Sequence, residues 1–383
     1  MSEGRHRIVV AMSGGVDSSV AAALLVEQGW EVIGVTLQIW PDGIKPPGRH
    51  VGCCSVDAVD DARRVADRLG IPYYVFDFQE LFRQTVMEPF ARSYVQGQTP
   101  NPCVWCNEYV KFGALLQRAL QLGAEAVATG HYARVERDPQ TGRWQLMRPR
   151  DLRKDQTYAL WPLTQEQLSR VRFPLAPYTK EEVRELARAR RLPVAYKPES
   201  QEICFIPDDD YRRYLREQVP DALRPGLIVD TRGQVLGEHP GVAFFTIGQR
   251  KGLGLAVGRP LYVVDLDPVS NRVVVGERDE ARAEGLEAGA INWVAIPGLD
   301  GPRRVQARIR RNAPQAPAVI EPVDAGARRV RCRFDEPQWA VTPGQSVVWY
   351  DGDTVLGGGL IGRAVKGSPA GGHTSPVEAS ARA

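Results

Sequence analysis

Residues 7–19 read RIVVAMSGGVDSS, and this stretch decides the fold of the first third of the chain. An apolar strand over residues 7–12 runs into two glycines and then into a helix predicted over residues 17–28, closed by Gly29. The glycines permit a tight turn whose backbone N–H groups face outward, and the helix adds its positive N-terminal end. The stretch therefore predicts an anion-binding cradle rather than a plain strand–helix turn.

The cradle differs from a Walker A loop because no Gly-Lys-Ser/Thr follows its glycines. Without a lysine aimed at a γ-phosphate, the loop suits pyrophosphate held as a leaving group, with ATP split between its α and β phosphates. Asp17 could bind Mg²⁺ beside that pyrophosphate, or it could equally be an acidic residue of the first helical turn.

Short apolar runs continue to alternate with helical patterns up to about residue 130, which predicts a Rossmann-like parallel sheet with helices on both faces. The further predicted strands are residues 31–40, 73–76 and 126–129. The predicted helices are residues 55–69, capped by Ser55, residues 78–94, and a helix that follows a loop over residues 96–106 and ends at Leu122. Ligands of such sheets bind beyond the carboxyl ends of the strands, where Ser13, Leu37, Thr129 and Gly130 fall.

The pattern changes after about residue 205, and the fold class is α/β with three units. Residues 227–237 and 261–276 each predict two strands around a turn, within a small α+β central domain. Short alternating segments over residues 291–364 predict a C-terminal antiparallel β-barrel. The predicted domains are residues 1–205, 206–280 and 281–366, followed by a disordered tail, 367–383, that holds no aromatic residue.

Composition favours a soluble, cytosolic protein without a membrane segment. The net charge of only +3 argues against a wholly basic chain, but it says nothing about local patches. Six cysteines are too few for a disulfide scaffold, so we expect a reducing compartment. The longest uninterrupted apolar run, residues 20–26, is about a third of a membrane span.

Three cysteines lie in sequence contexts that suggest chemistry. Cys103 and Cys106 stand in TPNPCVWCN, at the start of a helix whose dipole stabilises a thiolate, and Cys204 stands in the polar stretch ESQEICF. Their spacing leaves three interpretations open: half of a zinc site, an iron–sulfur cluster with Cys103, Cys106 and Cys204 as ligands, or a catalytic pair in which one thiol carries a persulfide and the other resolves it. Structural cysteines are the default interpretation for Cys53, Cys54 and Cys332.

SGGVDSS resembles the PP-loop signature of ATP pyrophosphatases, which activate an oxygen of their substrate as an adenylate. Seven further segments extend the likeness, and together the eight resemble the bacterial tRNA-specific 2-thiouridylase family over nearly the full chain. These seven segments are GCCS (52–55), TPNPCVWCNEYVKFG (99–113), ATGHYAR (128–134), KDQTYAL (154–160), KPESQEICFI (197–206), FTIGQRKGLG (245–254) and FDEPQWAVTPGQSVVWY (334–350).

The resemblance implies that ATP adenylates the C2 oxygen of the wobble uridine of tRNA and that a persulfide sulfur then displaces AMP, leaving 2-thiouridine. Cys204 would carry the persulfide, and Cys106 would resolve it and leave a Cys106–Cys204 disulfide. The family's targets are tRNAs for Lys, Glu and Gln, and the sulfur would come from a cysteine desulfurase or a relay protein. The residues implied to hold ATP are Ala11, Met12, Ser13, Gly14, Gly15, Val16, Asp17, Ser18, Leu37 and Gly130. The residues implied to meet the flipped target base are Asn101, Pro102 and Cys103, and those implied to contact tRNA elsewhere are His131, Lys154, Asp155, Gln156, Arg308, Ile309 and Gln345.

Cys103 departs from the family pattern, because well-known members have Asp there as a proposed general base. A thiol can take a proton only as thiolate, so the change puts that role in doubt. It also favours the alternative of an Fe–S-dependent tRNA thiolase with a [4Fe–4S] cluster on the three cysteines. A PP-loop amide ligase is a further alternative, although no ammonia-supplying region is evident. A non-catalytic tRNA-binding module with a relic ATP loop is another, but the intact loop and cysteines argue against it.

A basic run over residues 303–311 holds five arginines in nine residues on a predicted strand. On a strand, Arg304, Arg308 and Arg310 share one face. A solvated arginine face is the ordinary interpretation of such a run. In a chain of low net charge, the clustering also predicts a contact with the phosphate backbone of a nucleic acid.

Overall fold

The computed structural model of the chain describes residues 6–40, 56–198, 203–206, 208–324 and 326–367. The GCCS segment with Cys53 and Cys54, the predicted Ser55 cap and residues 368–383 of the predicted tail lie outside the described residues. The strands are β1 (Arg7–Ala11), β2 (Glu31–Gln38), β3 (Tyr73–Asp77), β4 (Ala126–Ala128), β5 (Arg134–Arg137), β6 (Trp144–Met147), β7 (Val171–Arg172), β8 (Gly226–Asp230), β9 (Val235–His239), β10 (Tyr262–Asp267), β11 (Arg272–Gly276), β12 (Arg282–Trp293), β13 (Arg303–Arg308), β14 (Ala316–Pro322), β15 (Val330–Trp339), β16 (Ser346–Asp351) and β17 (Thr354–Val365).

The helices lie mainly in the first half of the chain. They are α1 (Val16–Glu27), α2 (Val56–Leu69), α3 (Gln79–Phe82), α4 (Glu88–Val95), α5 (Pro102–Trp105), α6 (Leu115–Gln121), α7 (Gln165–Ser169), α8 (Lys180–Ala189) and α9 (Tyr211–Gln218). Two π-helical segments, Arg83–Met87 and Cys106–Ala114, join α3 to α4 and α5 to α6. Each joined pair is therefore one continuous helical rod.

The first sheet is parallel throughout and has the strand order β3-β2-β1-β4-β7. The chain leaves β1 towards β2 on one side and later returns to β4 on the other, so the order reverses beside β1. Such a reversal opens a crevice at the carboxyl ends of the two strands. The residues between β1 and α1, Met12 to Gly15, form the predicted anion-binding turn, which we call the phosphate loop. This loop follows β1 and Gly130 follows β4, so both lie at this crevice.

Separate hydrophobic clusters cover the two faces of this sheet. One contains Val10 and α1 residues such as Ala21. The other contains Val9 and Val35 and extends into the central domain through Val263 and Val275. The parallel sheet and the central domain therefore share one core, which we call the shared core.

The central and C-terminal units have the predicted architecture. The central sheet has the order β10-β11-β8-β9, in which β8–β9 and β10–β11 are the two predicted antiparallel pairs. Strands β12 to β17 form an antiparallel barrel that closes by the pairing of β12 with β17. The β5–β6 hairpin of the first domain joins the barrel sheet where Met147 pairs with Thr354. The predicted fold class is confirmed.

Two predicted boundaries are wrong. The loop predicted over residues 96–106 ends earlier, because Pro102 begins α5 and the Asn101 side chain accepts a hydrogen bond from the Cys103 N–H at 3.1 Å. Proline suits the first helical position and asparagine is a favoured N-cap, so the helix includes both cysteines of the motif. The strand predicted for the basic run stops at Arg308, which leaves Arg310 beyond β13 rather than on a shared face.

Candidate active site

The phosphate loop connects β1 to α1 and depends on its first glycine. Gly14 has a φ of +65°, and a Cβ there would lie 2.2 Å from the carbonyl oxygen of Ala58 in α2. Gly15 instead has extended backbone and precedes the first turn of α1. The Ser18 hydroxyl accepts a hydrogen bond from the Ser13 N–H at 3.1 Å, which closes the loop over the start of the helix. The loop therefore presents backbone N–H groups and a helix N-terminus at the crevice.

The opposite wall of the crevice approaches the start of α1 closely. A Cβ on Gly130 would lie 2.6 Å from the Ser18 nitrogen, so only glycine fits there without a shift. Leu37 is 7% exposed and belongs to the shared core. Its neighbour Thr36 donates a hydrogen bond to the Met12 carbonyl at 2.6 Å, which fixes the start of the loop. The structure thus brings the predicted nucleotide-binding residues together, with the Leu37 side chain enclosed.

Asp17 is engaged by a lysine from a distant part of the chain. The Lys180 ammonium donates to both Asp17 carboxylate oxygens at 2.6 and 2.8 Å, and the Tyr132 hydroxyl donates to one of them at 3.0 Å. Lys180 is nearly enclosed, with 7% of its side chain exposed. Asp17 is therefore a charge partner of Lys180 in this structure, and its oxygens are not arranged as an open metal site.

A second lysine, Lys197, contacts the phosphate loop on the side of α2. Lys197 donates to the Gly14 carbonyl at 3.1 Å and to the Asp61 carboxylate of α2 at 2.7 Å. Sequence reasoning missed both lysines, since more than 160 residues separate each of them from its partner in the loop. The only signal for Lys197 was its place at the head of the KPESQEICFI segment.

Cys106 and Cys204 border the same hydrophobic cluster. Both are half-buried and pack against the shared core, whereas Cys103 is exposed on the first turn of α5. Cys106 follows the last residue of α5, so it lies within the first turns of the helical rod, where the dipole favours a thiolate. The described residues contain no group of three or more His, Cys, Asp or Glu side chains that could hold a metal ion.

The barrel supports the loop that carries the cysteine motif. Gln345 donates to the Thr99 carbonyl at 2.7 Å, and the Thr99 N–H donates to the Pro343 carbonyl at 2.9 Å. A Cβ on Gly344 would lie 2.8 Å from the Gln98 Cβ, so the two loops are in direct contact. Gln345 therefore positions the segment that contains Asn101, Pro102 and Cys103.

His131 lies at the end of β4 in an aromatic enclosure. Its Nδ1 shares a hydrogen bond with the Thr129 hydroxyl at 2.7 Å, and the rings of Phe112 and Phe173 lie with centroids 5.9 Å from its own. Burial, with a smaller contribution from the Lys111 ammonium, lowers the pKa of His131 well below its usual range. The imidazole is therefore neutral at physiological pH.

Residues 154–160, the KDQTYAL segment, pack against the barrel and form hydrogen bonds with it. The Asp155 carboxylate is fully enclosed and accepts from Arg148 at 3.1 Å, from Arg308 at 2.9 Å and from the Thr157 hydroxyl at 2.6 Å. The Gln156 side chain accepts from the Tyr132 N–H at 2.8 Å, beside His131. Lys154 is the last residue of a short helical turn, Leu152–Lys154, that the Asp151 side chain caps.

Much of the basic run is already paired within the protein. Arg303 lies 3.1 Å from Asp351, Arg304 pairs with Asp335, and Arg308 pairs with Asp155. The Ile309 side chain is buried in the barrel core. Burial lowers the pKa of Arg310, whose guanidinium lies over the Trp339 ring. Arg303 and Arg304 remain partly exposed and can still meet an anionic partner.

Family models and relatives match the chain over most of its length. Residues 6–208 match a tRNA methyl transferase HUP domain, residues 212–277 a tRNA methyl transferase PRC-barrel domain, and residues 283–361 an aminomethyltransferase beta-barrel domain. A solved 4-thiouridine synthetase–RNA complex with bound ATP is 20% identical over 57% of this chain and 51% of that chain, with a TM-score of 0.35. No helix in the described part of the chain is long and apolar enough to cross a membrane.

Full-length relatives name the family more specifically than the domain descriptions do. The tRNA-specific 2-thiouridylase MnmA of Carboxydothermus hydrogenoformans is 55% identical over 94% of this chain and 98% of its own. The tRNA-specific 2-thiouridylase MnmA of Symbiobacterium thermophilum is 56% identical over 94% of this chain and 93% of its own. Identity above one half along nearly the whole of both chains shows that this chain belongs to the tRNA-specific 2-thiouridylase MnmA family.

Proposed function

We propose that this protein is an ATP-dependent tRNA 2-thiouridylase that converts the wobble uridine to 2-thiouridine, with release of AMP and pyrophosphate. The observation that carries the proposal is one arrangement of two parts. A phosphate loop stands at the carboxyl end of β1, and Cys106 and Cys204 border the core on one face of the same sheet. Family membership supplies the acceptor, tRNA, and the sulfur chemistry accounts for both cysteines.

In the first step, the C2 oxygen of uridine attacks the α-phosphorus of ATP, and pyrophosphate leaves. Ala11 to Ser18 and Gly130 would hold the phosphates through backbone N–H groups and the α1 N-terminus. Asp17 already accepts from Lys180 and Tyr132, so its carboxylate does not fit an open Mg²⁺ site. We therefore infer that Mg²⁺ enters bound to the nucleotide and not to this carboxylate.

In the second step, the terminal sulfur of a Cys204 persulfide attacks C2, and AMP leaves with the oxygen. The Cys106 thiolate then attacks the Cys204 sulfur, which frees 2-thiouridine and forms a Cys106–Cys204 disulfide. A thiol reductant reopens that disulfide for the next turnover. The persulfide route needs no cluster, and the arrangement of the described residues gives a [4Fe–4S] site no support.

The wobble base must leave its stack to reach this site. Cys103 is exposed on the first turn of α5, which supports the proposal that Asn101, Pro102 and Cys103 meet an extruded base, although the Pro102 side chain is buried. We propose that residues 1–205 carry out the chemistry and that residues 206–280 and 281–366 hold tRNA, with Lys, Glu and Gln isoacceptors as substrates. A cysteine desulfurase or a relay protein would supply the persulfide in the cytoplasm.

The decisive experiment is mass spectrometry of wobble nucleosides after reaction of tRNA with ATP and a persulfide donor. Wild-type protein should produce 2-thiouridine, and Cys106→Ala and Cys204→Ala should each abolish it. Cys332→Ala is the matched control, because Cys332 is buried in the barrel core, and burial raises the pKa of its thiol to about 12. Full thiolation by either of the first two variants would contradict the mechanism.

Two further measurements separate the alternatives. ATP–pyrophosphate exchange stimulated by tRNA is expected of the thiolase, and a binding module with a relic loop would show none. Protein purified without oxygen should thiolate with a persulfide donor while lacking stoichiometric iron and sulfide. Stoichiometric iron whose removal abolishes activity would instead favour the cluster route through Cys103, Cys106 and Cys204.

A further inference from the structure

Residues 246–251 of the FTIGQRKGLG segment, which we call the basic turn, contact both the loop before the cysteine motif and the barrel. The Thr99 hydroxyl donates a hydrogen bond to the Thr246 hydroxyl at 3.2 Å. Gly248 has a φ of +86°, and a Cβ there would lie 2.8 Å from the Ala340 Cβ. Only glycine therefore lets the turn lie this close to the barrel. The basic turn is thus fixed where the central domain meets the other two units.

Hydrogen bonds within the basic turn hold its exposed end. The Gln249 N–H donates to the Thr246 carbonyl at 3.0 Å, and the Gln249 side chain accepts from the Thr246 N–H at 3.1 Å. The same side chain donates to the Lys251 carbonyl at 3.0 Å. A turn of this kind keeps its first and fourth Cα atoms within about 7 Å, so the Arg250 Cα lies within about 11 Å of the Thr246 Cα. Arg250 is therefore presented close to the cysteine motif.

The basic turn carries cations that have no acidic partner among the described residues. Arg250 and Lys251 are exposed, and Arg212 of α9 lies beside the turn, with its Nη1 3.2 Å from the place of a Cβ on Gly252. Within the described part of the chain, none of these three cations forms an ion pair. The arginines of β13, by contrast, are all paired with carboxylates. The basic turn is therefore better suited than the basic run to bind an anionic partner.

A cavity beside the basic turn has room for a phosphate group. Its volume is about 220 Å³, and its lining includes Arg250, Gly252 and Gly254. At the two glycines no side chain covers the main chain, so a phosphate can reach backbone groups as well as the guanidinium. Arginine, lysine and backbone N–H groups are the usual contacts of nucleic-acid phosphates.

We propose that the basic turn binds backbone phosphates of the tRNA anticodon arm, beside the extruded wobble base, through Arg250 and Lys251. Phosphate contacts fix the position of a nucleic acid on a protein without reading its bases. Because the turn is hydrogen-bonded to Thr99, a strand bound to it is held next to the cysteine motif. This inference rests on the proposed function, because it takes tRNA as the substrate.

The first test measures tRNA binding by a filter assay over a range of salt concentrations. Arg250→Gln/Lys251→Gln should bind about tenfold more weakly at low salt, and the slope of log Kd against log salt should fall by about 1.5, because two phosphate contacts are lost. Each single variant should lower the slope by about half as much, which keeps the test available if the double variant does not fold. A double variant with the salt dependence of wild type would overturn the proposal.

The matched control is Arg68→Gln/Arg188→Gln, which removes the same charge from the last turns of α2 and α8. Both helices begin beside the crevice, where Ala58 approaches Gly14 and Lys180 contacts Asp17, and end away from it. The control should therefore bind tRNA like wild type. A control that lowers the slope as much as the test variant would show a general charge effect and refute the assignment to the basic turn.

The second test locates the contact by ethylation interference on the tRNA. Ethylation of certain anticodon-arm phosphates should block binding to wild-type protein, and one or two of these should no longer interfere with binding to Arg250→Gln/Lys251→Gln. Interference that changes only outside the anticodon arm, or at no phosphate, would contradict the proposal.

The third test separates RNA from protein as the partner of the basic turn. At saturating tRNA and with a small-molecule persulfide donor, Arg250→Gln/Lys251→Gln should form 2-thiouridine within about twofold of the wild-type rate, since only tRNA affinity is lost. A double variant that keeps wild-type tRNA affinity but accepts sulfur poorly from a donor protein would assign the turn to an acidic protein surface and sink the proposal. Wild-type protein that binds tRNA but makes no 2-thiouridine would refute the proposed function, while the binding data still decide the role of the turn.

Discussion

Asp155→Asn should weaken the contact between the barrel and the first domain, because it removes the charge that two arginines share. The Asp155 carboxylate is fully enclosed, whereas Arg148 and Arg308 are 19% and 13% exposed. The asparagine keeps an oxygen for Thr157 but directs an amide at a guanidinium. Breaking a buried pair by removing one partner costs about 3–5 kcal/mol of the free energy of unfolding. We expect Arg308→Met to cost less, about 1.5–3 kcal/mol, since Arg148 still neutralises the carboxylate.

The assay is urea unfolding followed by tryptophan fluorescence, because Trp349 is fully buried in the barrel core. A loss of this size should lower the midpoint by more than about 1 M urea. Arg304→Met is the matched control on the same strand, since Arg304 is 65% exposed and its pair with Asp335 should contribute less than about 1 kcal/mol.

The same variants decide between a structural role and the tRNA contact that the family resemblance implied for Asp155 and Arg308. If the two residues dock the barrel, the double variant Asp155→Asn/Arg308→Met should be less destabilised than the sum of the single variants. If Asp155→Asn unfolds like wild type but loses tRNA binding in a filter assay, Asp155 contacts tRNA and our reasoning is wrong.

Three further predictions concern the crevice. Gly14→Ala should abolish ATP binding in titration calorimetry and lower the free energy of unfolding by more than about 2 kcal/mol, because the φ of Gly14 is positive and the α2 backbone is too close for a Cβ. Gly15→Ala is the control and should unfold like wild type in the urea assay, because the backbone of Gly15 is extended. Lys180→Met should weaken ATP binding about tenfold or more by leaving the Asp17 carboxylate uncompensated, and Lys180→Met/Asp17→Asn should restore most of it in titration calorimetry. Because the pKa of His131 is lowered in the folded protein, the unfolded chain binds the proton first as pH falls, and the free energy of unfolding should decrease as pH drops through about 6.5. His131→Asn should flatten this pH dependence in urea titrations. An unchanged dependence of the free energy of unfolding on pH would contradict the prediction.

Several features were predictable because the information is local. The order of strand, glycines and helix around Gly14 predicts the phosphate loop. The alternation of short strands with helices predicts a parallel sheet. The alternating patterns over residues 227–237 and 261–276 predict the two central hairpins, which the structure confirms. The start of α5 was misplaced although its signals, Asn101 and Pro102, are local too: the prolines of the motif suggested a loop, whereas proline at the first helical position begins the helix.

The surroundings of the candidate site were not predictable, because they depend on contacts between distant segments. Lys180 and Lys197 reach the phosphate loop only through the packing of α8 and the chain after it. The basic run predicted exposed phosphate contacts, yet Arg308 faces a buried carboxylate that lies 153 residues earlier in the chain. A pattern of charges shows neither which charges are buried nor which are paired.

The sequence by itself determined the class of the sheet, the anion-binding turn, the barrel and the three cysteines worth attention, since each depends on periodicity or on neighbouring residues. Tertiary structure alone decided that Asp17 pairs with Lys180, that Asp155 pairs with Arg308 of the barrel and that Cys106 and Cys204 border one core. The physical reason is that the energy of a buried charge or thiol depends on what surrounds it in space, and its surroundings here come from segments remote in the chain.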